Sequence, residues 1–246
     1  MDFSNKTVIA TGAGSGIAKL YLENIASLGA TAVFVDINKE SAEAAANEVI
    51  QKGFKALAYA ADVRSAEEIC RIVDDVLEKT GHIDILLNSA GGASKRVWKQ
   101  PDFSSASFES IEWGIDVNLK GAVLFSRAVL PAMEKQKSGI ILNMSSVDGV
   151  TGSRGSVDYG AAKAGMIGLS KSLAIYGAPN GIRSVSVAPG PVLTRANMAN
   201  MTTLLGRAAE TQEIVDLLLY LSSDKASFIT GCNYQIDGGR PCNVGR

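Results

Sequence analysis

The sequence predicts an α/β fold in which a single domain is built on a doubly wound parallel sheet with helices on both faces. Short apolar runs alternate with longer amphipathic segments along the whole chain, and the apolar runs are continuous rather than alternating with polar residues. Continuous apolar strands are typical of parallel sheets that are buried on both faces. Right-handed crossovers between such strands produce a doubly wound sheet.

Seven strands and six helices are predicted from this alternation. The strands cover 7–10, 31–35, 56–59, 83–88, 139–144, 183–188 and 233–236. The helices lie near 17–28, 39–52, 66–80, 117–135, 159–176 and 211–222. No internal repeat or interdomain linker interrupts the pattern, so residues 1–246 are expected to form one domain.

Two stretches, about 91–107 and 189–206, interrupt the alternation of strands and helices. They are predicted to be loops that contact a substrate. The first holds paired glycines, a basic-aromatic patch and Pro101, and the second holds two prolines among small and polar residues. Long loops in a compact domain are usually functional.

Composition excludes several classes of function. Of 246 residues, 46% are hydrophobic and 20% are charged, and the formal net charge is −1. This balance gives no bulk attraction to nucleic acid or to an anionic membrane. The N-terminal residues lack the pattern of a signal peptide, so a cytoplasmic location is expected.

The few cysteines and the lone histidine point away from metal and disulfide chemistry. Cys70, Cys232 and Cys242 are widely spaced, and Cys70 is expected to be a small core residue on an amphipathic helix. His82 is the only histidine. No metal site is therefore expected, and Ser-His-Asp or Cys-His catalysis is disfavoured.

A glycine-rich turn between the first strand and the first helix indicates a dinucleotide site. Glycines there allow the backbone to approach a pyrophosphate, and the helix N-terminus supplies N–H groups and a positive dipole end. The same glycines would also suit a plain turn, so the evidence for a dinucleotide site is their placement between a strand and a helix. The predicted contacts are Thr11, Gly12, Gly14, Ser15, Gly16 and Ile17.

An acidic residue at the end of the second strand favours NAD as the cofactor, with NADP less favoured. Asp36 can accept hydrogen bonds from the adenosine ribose hydroxyls, and its charge would repel a 2′-phosphate. Ser15 and Ile37 offer no cation for such a phosphate, although Lys39 lies nearby. The alternative interpretation of Asp36 is a helix-capping or turn residue.

Polar and small residues also follow the third and fourth strands. Open α/β sheets bind ligands at the carboxyl ends of their strands, although ordinary turn chemistry would use the same residue types. The predicted cofactor contacts at these two ends are Asp62, Val63, Asn88, Ala90 and Gly91.

Tyr159 and Lys163 are the strongest catalytic candidates. A spacing of four places both side chains on one helical face, one turn apart. A free tyrosine titrates at about 10, and a neighbouring ammonium favours its phenolate, so the pair can move a proton near neutral pH. A bare Tyr-x-x-x-Lys is more often an ordinary amphipathic helix, so other features must converge with it.

Three further features do converge. Ser146 follows the fifth strand, where its hydroxyl can hydrogen-bond a reacting oxygen. Asn118 lies inside a predicted helix, where asparagine is a poor choice by propensity. The segment after the sixth strand can close over a nicotinamide, and its predicted contacts are Pro189, Gly190, Val192 and Thr194.

Together these residues resemble the classical short-chain dehydrogenase/reductase family from Thr11 to Gly239. The resemblance implies a Rossmann fold, an NAD-binding catalytic domain and a catalytic tetrad of Asn118, Ser146, Tyr159 and Lys163. It implies that the tyrosine is the general acid/base and that the serine orients the carbonyl or alcohol. It implies that the lysine holds the nicotinamide ribose and assists the tyrosine, while the asparagine supports a water that links the lysine to solvent.

The resemblance also implies the remaining cofactor contacts and an oligomer. Asp62 and Val63 would meet the adenine, the Asn88–Gly91 segment the centre of the cofactor, and Val192 and Thr194 the carboxamide. A homotetramer, or else a homodimer, is implied. Two positions depart from the family pattern: Ala18 replaces a glycine, and Ser89 replaces an asparagine that supports the sheet.

The substrate is expected to be a small-molecule carbonyl or alcohol. Ser94, Arg96 and Arg154 lie in loops that should flank the reacting carbon, and Lys95 and Arg195 add further cations. Guanidinium groups bind carboxylates or phosphates, so an anionic substrate is one hypothesis, and solvated loop cations are the other.

Two other functions stay open on the same scaffold. One is a catalytically idle NAD-binding sensor, because fold does not fix function. The other is an epimerase or dehydratase that uses NAD without releasing it. The complete tetrad argues against the first, and the compact length argues against the second.

Overall fold

A seven-stranded parallel sheet forms the centre of the computed structural model, which describes residues 1–99, 102–195, 198 and 203–240. Its strand order is β3-β2-β1-β4-β5-β6-β7, and every neighbouring pair is parallel. The strands are β1 Thr7–Thr11, β2 Thr31–Asp36, β3 Lys55–Ala60, β4 Ile85–Asn88, β5 Gly139–Met144, β6 Ile182–Pro189 and β7 Asn233–Ile236. The predicted fold class is confirmed.

Helices cover both faces of this sheet. They are α1 Gly16–Ser27, α2 Lys39–Gln51, α3 Ala66–Thr80, α4 Ser94–Trp98, α5 Phe108–Ile115, α6 Gly121–Gln136, α7 Val147–Thr151, α8 Val157–Gly177 and α9 Thr211–Ser222. Within the described part of the chain, no helix combines the length and the apolar character that a bilayer span needs.

Alternate residues of the central strands contribute to two separate hydrophobic layers. Val8 and Ala10 pack into the layer that contains α1, α2 and α9, whereas Ile9 between them packs into the layer of α3, α6 and α8. Side chains of a strand alternate between its two faces, so an all-apolar strand such as Val8–Ala10 is required when both faces are covered. This explains the continuous apolar runs in the sequence.

Two predicted elements begin later than the sequence pattern indicated. The fourth strand begins at Ile85 rather than at 83, because the backbone N–H and C=O of Ile83 are hydrogen-bonded to the side chain of Gln136 at 3.1 and 2.9 Å. The helix predicted from 117 begins at Gly121, because residues Asp116–Lys120 form a π-helical turn. Such turns are often found at functional sites.

Short helices occupy segments that the sequence pattern left irregular. The predicted loop at 91–107 contains α4 and a 3₁₀ turn at Phe103–Ser105. The unpredicted α5 begins at the cap residue Ser107, whose side chain accepts a hydrogen bond from the N–H of Ser110. Helices of five to eight residues are too short to show a helical period in the sequence, so they were not predicted.

The expectation for Cys70 was wrong. Its side chain is exposed, because the buried face of α3 is formed by Ile69, Ile72, Val73 and Val76. The amphipathic pattern was read correctly, but Cys70 lies on its solvent side. Cys242 lies outside the described residues.

A buried polar network joins the sheet to α8 beneath the functional edge. Asn143 in β5 is fully buried, accepts a hydrogen bond from Asn88 Nδ2 at 2.8 Å and donates one to Ser170 Oγ at 2.8 Å. Buried amides are stabilising only when they are paired, because an unpaired buried donor or acceptor costs its full desolvation.

We expect Asn143→Ala to lower the free energy of unfolding by about 2–4 kcal/mol, because it leaves a cavity and removes one hydrogen bond from each of two buried partners. Urea unfolding followed by circular dichroism measures the change. Asn47→Ala, on the exposed face of α2, is the matched control and should change stability by less than about 0.5 kcal/mol. Equal effects for the two variants would contradict the role of the network.

Candidate active site

A cavity of about 290 Å³ lies at the carboxyl ends of β4, β5 and β6. Three of the four predicted tetrad residues, Ser146, Tyr159 and Lys163, line it. Other parts of its wall come from the segments that follow β4 and β6, at Gly91–Ala93 and Pro189–Val192. Parallel strands bring residues that are far apart in sequence to this edge, as the rule for open α/β sheets predicts.

Tyr159 and Lys163 lie one turn apart at the start of α8. Lys163 Nζ is 5.6 Å from the centre of the Tyr159 ring, which is close enough for a cation–π contact. The same ammonium donates a hydrogen bond to the main-chain oxygen of Met144 at 2.7 Å. The lysine is therefore held between the end of β5 and the tyrosine.

The backbone of Lys163 is held by residues that follow β5. Ser145 Oγ donates a hydrogen bond to the Lys163 carbonyl at 2.7 Å. Gly149 in α7 lies so close that any Cβ there would meet the Lys163 carbonyl carbon. These contacts seat α7 directly on α8, so Ser146 at the start of α7 has a fixed position relative to the Tyr-Lys pair.

Burial lowers the pKa of Lys163 to about 8 from its ordinary value of 10.5. The side chain is only 3% exposed, and removal from water disfavours the charged form. An amine with this pKa changes charge within the pH range in which many enzymes work. Such a shift is typical of lysines at functional sites.

This shift has a testable consequence for stability in the cofactor-free protein. Between pH 8 and 10.5 the unfolded chain keeps the lysine proton that the folded chain has lost, so stability rises with pH in this window. Relative to Lys163→Met, we expect the wild-type protein to gain on the order of 2 kcal/mol between about pH 7 and pH 9.5. Urea unfolding of both proteins at each pH measures the difference; parallel curves would refute a depressed pKa.

Ser146 is positioned to face the cavity rather than the core. It is the N-cap residue of α7, and its Oγ accepts a hydrogen bond from the N–H of Asp148 at 3.2 Å. A hydroxyl that accepts from its own helix keeps its O–H free in direction, so it can donate to a ligand oxygen.

Asn118 lies in the π-helical turn and is fully buried. Its amide nitrogen donates to the carbonyls of Gly114 and Gly92, both at 2.8 Å, and its oxygen accepts from the N–H of Gly92 at 2.9 Å. The side chain thus ties α5 to the loop after β4. Gly91 packs against both the Asn118 oxygen and Lys163 Nζ, so all of these groups meet at one point.

The glycine-rich turn has the backbone that its sequence predicted. Gly12 and Gly16 adopt φ of +67° and +64°, in the left-handed region that favours glycine. A Cβ at Gly12 would lie 2.8 Å from Ala90 Cα, so this turn contacts the loop after β4 directly. In the described chain no side chain caps α1 at Ser15, which leaves its N-terminal N–H groups available to an anion.

Asp36 ends β2 beside this turn. Its Oδ2 accepts from the N–H of Gly14 and its Oδ1 from the N–H of Asn38, both at 2.9 Å. Ile37 is 71% exposed, and the Lys39 ammonium pairs with Glu43 on its own helix at 3.7 Å. Lys39, the basic residue nearest to Asp36 in the sequence, therefore lies close to an acidic residue of α2.

The remaining strand ends are held by local contacts. Asp62 pairs with Arg64 at 2.6 Å, and hydrogen bonds from that guanidinium hold the pKa of the carboxyl below its usual value. Val63 packs against Gly121 at the start of α6. Both residues lie at the end of β3, as predicted.

The ends of β1 and β4 are linked through Thr11. Its Oγ1 accepts from the N–H groups of Ser89 and Ala90 at 3.0 and 3.1 Å. This link uses the backbone of Ser89, so the serine that departs from the family pattern does not interrupt it. The Asn88 side chain points into the sheet, toward Ser126 and Asn143, which leaves its backbone at the functional edge.

The segment after β6 lines the cavity at every position where a contact was predicted. Pro189, Gly190, Val192 and Thr194 all form part of the wall, together with Ile17. Thr194 also faces Gly16, with 3.7 Å between its methyl carbon and a Cβ placed on that glycine. The glycine-rich turn and this segment therefore lie beside each other at the cavity.

The residues predicted to contact substrate are not gathered at this cavity. Ser94 is buried and lines a separate small cleft beside Asp158, and Arg154 is exposed. The Arg96 side chain lies outside what the structure describes. Arg195, Asp148 and Arg240 do line the cavity. The sequence pattern missed Arg240, although its place shortly after β7 follows the strand-end rule.

Among the residues that the structure describes, no group of three His, Cys, Asp or Glu side chains is arranged to hold a metal ion. The described residues that line the cavity include serines, a tyrosine, a lysine, two arginines and an aspartate.

Comparisons with known proteins agree with this geometry. A family model described as enoyl-(acyl carrier protein) reductase matches residues 12–240. The chain is 36% identical over 251 residues to 3-oxoacyl-(acyl-carrier-protein) reductase of Thermotoga maritima, covering 97% of this chain and 99% of the relative. It is 34% identical over 257 residues to meso-2,3-butanediol dehydrogenase of Serratia marcescens, covering 100% and 98%.

A solved structure extends the likeness to three dimensions. The short-chain type dehydrogenase/reductase from Mycobacterium marinum is 30% identical, with a TM-score of 0.90, and the match covers 98% of this chain and 97% of that one. The similarity therefore includes the whole sheet and the edge that carries the cavity.

Proposed function

Since the chain belongs to the classical short-chain dehydrogenase/reductase family, we propose that it transfers a hydride between NAD(H) and a secondary alcohol or ketone, with Tyr159 as general acid/base. It is an oxidoreductase that acts on CH–OH or C=O groups. The observation that carries the finer proposal is that Ser146, Tyr159 and Lys163 line the same cavity.

The residues at the functional edge fit a nicotinamide dinucleotide. The uncapped N-terminus of α1 and the close backbone of Gly12 suit the pyrophosphate, and the Asp36 carboxylate suits ribose hydroxyls. Val192 and Thr194, which line the cavity, are the proposed contacts of the carboxamide. When bound, the nicotinamide supplies or accepts the hydride.

The protein's own residues then manage the proton. In reduction, the Tyr159 hydroxyl gives its proton to the substrate oxygen, and in oxidation the phenolate takes it back. The Lys163 ammonium stabilises the phenolate from one turn away, and it is held there by its bond to Met144 O. Ser146 donates a hydrogen bond to the same substrate oxygen.

Asn118 positions the other tetrad members. Its three hydrogen bonds hold the Gly92 backbone against α5, and Gly91 in turn packs against Lys163 Nζ. The Asn118 oxygen keeps one acceptor direction for a water beside the lysine. We propose that this water carries protons between Lys163 and solvent.

The cofactor is NAD(H) rather than NADP(H) in this proposal. A 2′-phosphate would meet the negative charge of the Asp36 carboxylate, which is the basis of this preference. Two negative groups at hydrogen-bonding distance repel each other, whereas ribose hydroxyls donate to the carboxylate.

We also propose a cytoplasmic homotetramer, with a homodimer as the alternative. Apolar side chains remain exposed on α5, α6 and α8, among them Phe108 at 82% and Ile175 at 79%. Exposed apolar surface of this kind supports subunit contacts. Sedimentation equilibrium of the purified protein determines the assembly.

A screen with reduced cofactors tests the proposed function. Neutral ketones, diketones, polyols and oxo acids are offered with NADH and, separately, NADPH, and the reduced-nicotinamide absorbance is followed. We expect steady NADH oxidation with at least one ketone and a lower kcat/KM with NADPH. Cofactor binding without turnover would indicate a sensor, and substrate conversion without net NADH change would indicate an epimerase.

A further inference from the structure

Arg240, at the end of the turn at 237–240, forms part of the cavity wall. In this turn Gly238 and Gly239 adopt φ of +64° and +76°, and the N–H of Gly239 bonds to Asp237 Oδ1 at 2.8 Å. The N–H of Arg240 bonds to the Asp237 carbonyl at 3.3 Å, which closes the turn. The backbone that carries Arg240 is therefore folded back on itself rather than extended.

The same turn is clamped to both neighbouring segments. The N–H of Gly190 bonds to the Ile236 carbonyl at 3.0 Å, and Gly190 packs against the Asp237 backbone. On the other side, the N–H of Leu205 bonds to the Gly238 carbonyl at 3.2 Å. These contacts hold Arg240 at the cavity that Ser146 and Tyr159 line.

The charged groups around this cavity are mostly cationic. Among the described residues that line it, three are basic, Lys163, Arg195 and Arg240, and one is acidic, Asp148. The Lys163 ammonium donates a hydrogen bond to the Met144 carbonyl. The excess positive charge favours an anionic ligand.

Arg240 lies on the side of the cavity away from the cofactor's adenosine end. In the sheet, β2 with Asp36 is separated from β7 by β1, β4, β5 and β6, and Arg240 follows β7. Arg195, by contrast, directly follows Thr194, which faces the glycine-rich turn at Gly16. The two arginines thus approach the cavity from different sides.

We infer that Arg240 binds an anionic group of the substrate, a carboxylate, which makes small oxo acids and their hydroxy-acid counterparts the substrate class. A guanidinium matches a carboxylate with two parallel N–H···O bonds. The cavity of about 290 Å³ must also admit the nicotinamide ring, which leaves room for a short acid. The inference rests on the proposed function for the identity of the reacting group.

Paired probes test this inference by kinetics. Pyruvate, acetoacetate and levulinate place the carboxylate at three distances from the ketone, and each is compared with its methyl ester in the presence of NADH. We expect wild-type kcat/KM to be at least tenfold higher for one acid than for its ester. Arg240→Gln should lower that value about 100-fold for the acid and less than about threefold for the ester.

Two variants separate recognition from structure. Arg240→Lys keeps the charge without the planar fork and should retain an intermediate acid preference. Arg71→Gln removes an exposed positive charge from α3, outside the cavity, and should leave the acid-to-ester ratio within about threefold of wild type. Equal losses for acid and ester in Arg240→Gln, a raised NADH KM as its only effect, or an equal ratio change in Arg71→Gln would overturn the inference.

A binding measurement distinguishes this inference from the proposed function. The Tyr159→Phe protein with NADH bound is titrated calorimetrically with the same acids and esters, and the titration is repeated with Arg240→Gln added. Acid-selective binding that depends on Arg240 supports the inference even if the ketone screen shows no hydride transfer. Ester binding equal to acid binding, or tighter binding of dihydroxyacetone phosphate than of any acid, contradicts carboxylate recognition.

Discussion

Tyr159→Phe is expected to lower kcat by about 10³-fold or more while the Kd for NADH stays within about threefold of wild type. The substitution removes one oxygen, the atom proposed to exchange a proton with the substrate. The ring remains, so its contact with the Lys163 ammonium at 5.6 Å is preserved. Stopped-flow single turnovers measure the hydride step, and quenching of protein fluorescence measures NADH binding.

The same helix offers a matched control. Tyr176 lies near the other end of α8 and is 60% exposed, so Tyr176→Phe removes an identical hydroxyl far from the cavity. Its kcat should lie within about twofold of wild type, as expected for an exposed site. Comparable activity in the two variants would exclude Tyr159 as the general acid/base.

Asp36→Asn is expected to change the cofactor preference by a large factor. The carboxylate accepts hydrogen bonds from ribose hydroxyls in the proposed complex, and charge-assisted bonds of this kind contribute about 1.5–3 kcal/mol. We therefore expect kcat/KM with NADH to fall about 10- to 100-fold. With NADPH it should rise, because the repulsion of the 2′-phosphate is removed.

Steady-state kinetics with both cofactors, at one substrate concentration series, measure this change. Asp74→Asn removes one exposed negative charge from α3 and controls for net charge. Its ratio of NADH to NADPH efficiency should match that of wild type. An unchanged ratio in Asp36→Asn would show that the residue only shapes the turn, through its bonds to Gly14 and Asn38.

Most of the fold was predictable because its signals are local. Strands such as β2 and β4 have continuous apolar runs, and helices such as α3 have an amphipathic period that repeats several times. The Tyr159–Lys163 pair was predictable for the same reason, since a spacing of four fixes a shared helical face before any tertiary contact forms.

The features that the sequence did not predict depend on contacts between distant segments. Arg240 reaches the cavity only because Gly190 and Leu205 hold the turn that precedes it. Arg154 lies in a loop of suitable sequence position, yet no comparable clamp brings it to the cavity in the described structure, and it is exposed. Charge and position in the chain were therefore insufficient to identify the substrate contacts.

The depressed pKa of Lys163 also needed the structure. A lysine in a sequence is expected at the surface, because burying an ammonium is costly. Here α7 closes over the helix through Gly149, and Met144 O supplies the hydrogen bond that compensates burial. The sequence identified the residue, and the packing determined its charge behaviour.

Transfer of an isotope label tests the central claim most directly. NADH carrying deuterium at both positions of nicotinamide C4 is incubated with the wild-type protein and the ketone that gives turnover in the screen. The product is then examined by mass spectrometry and proton NMR. Hydride transfer predicts one deuterium on the new carbinol carbon and none lost to water. A product without deuterium at that carbon would contradict the proposed reaction.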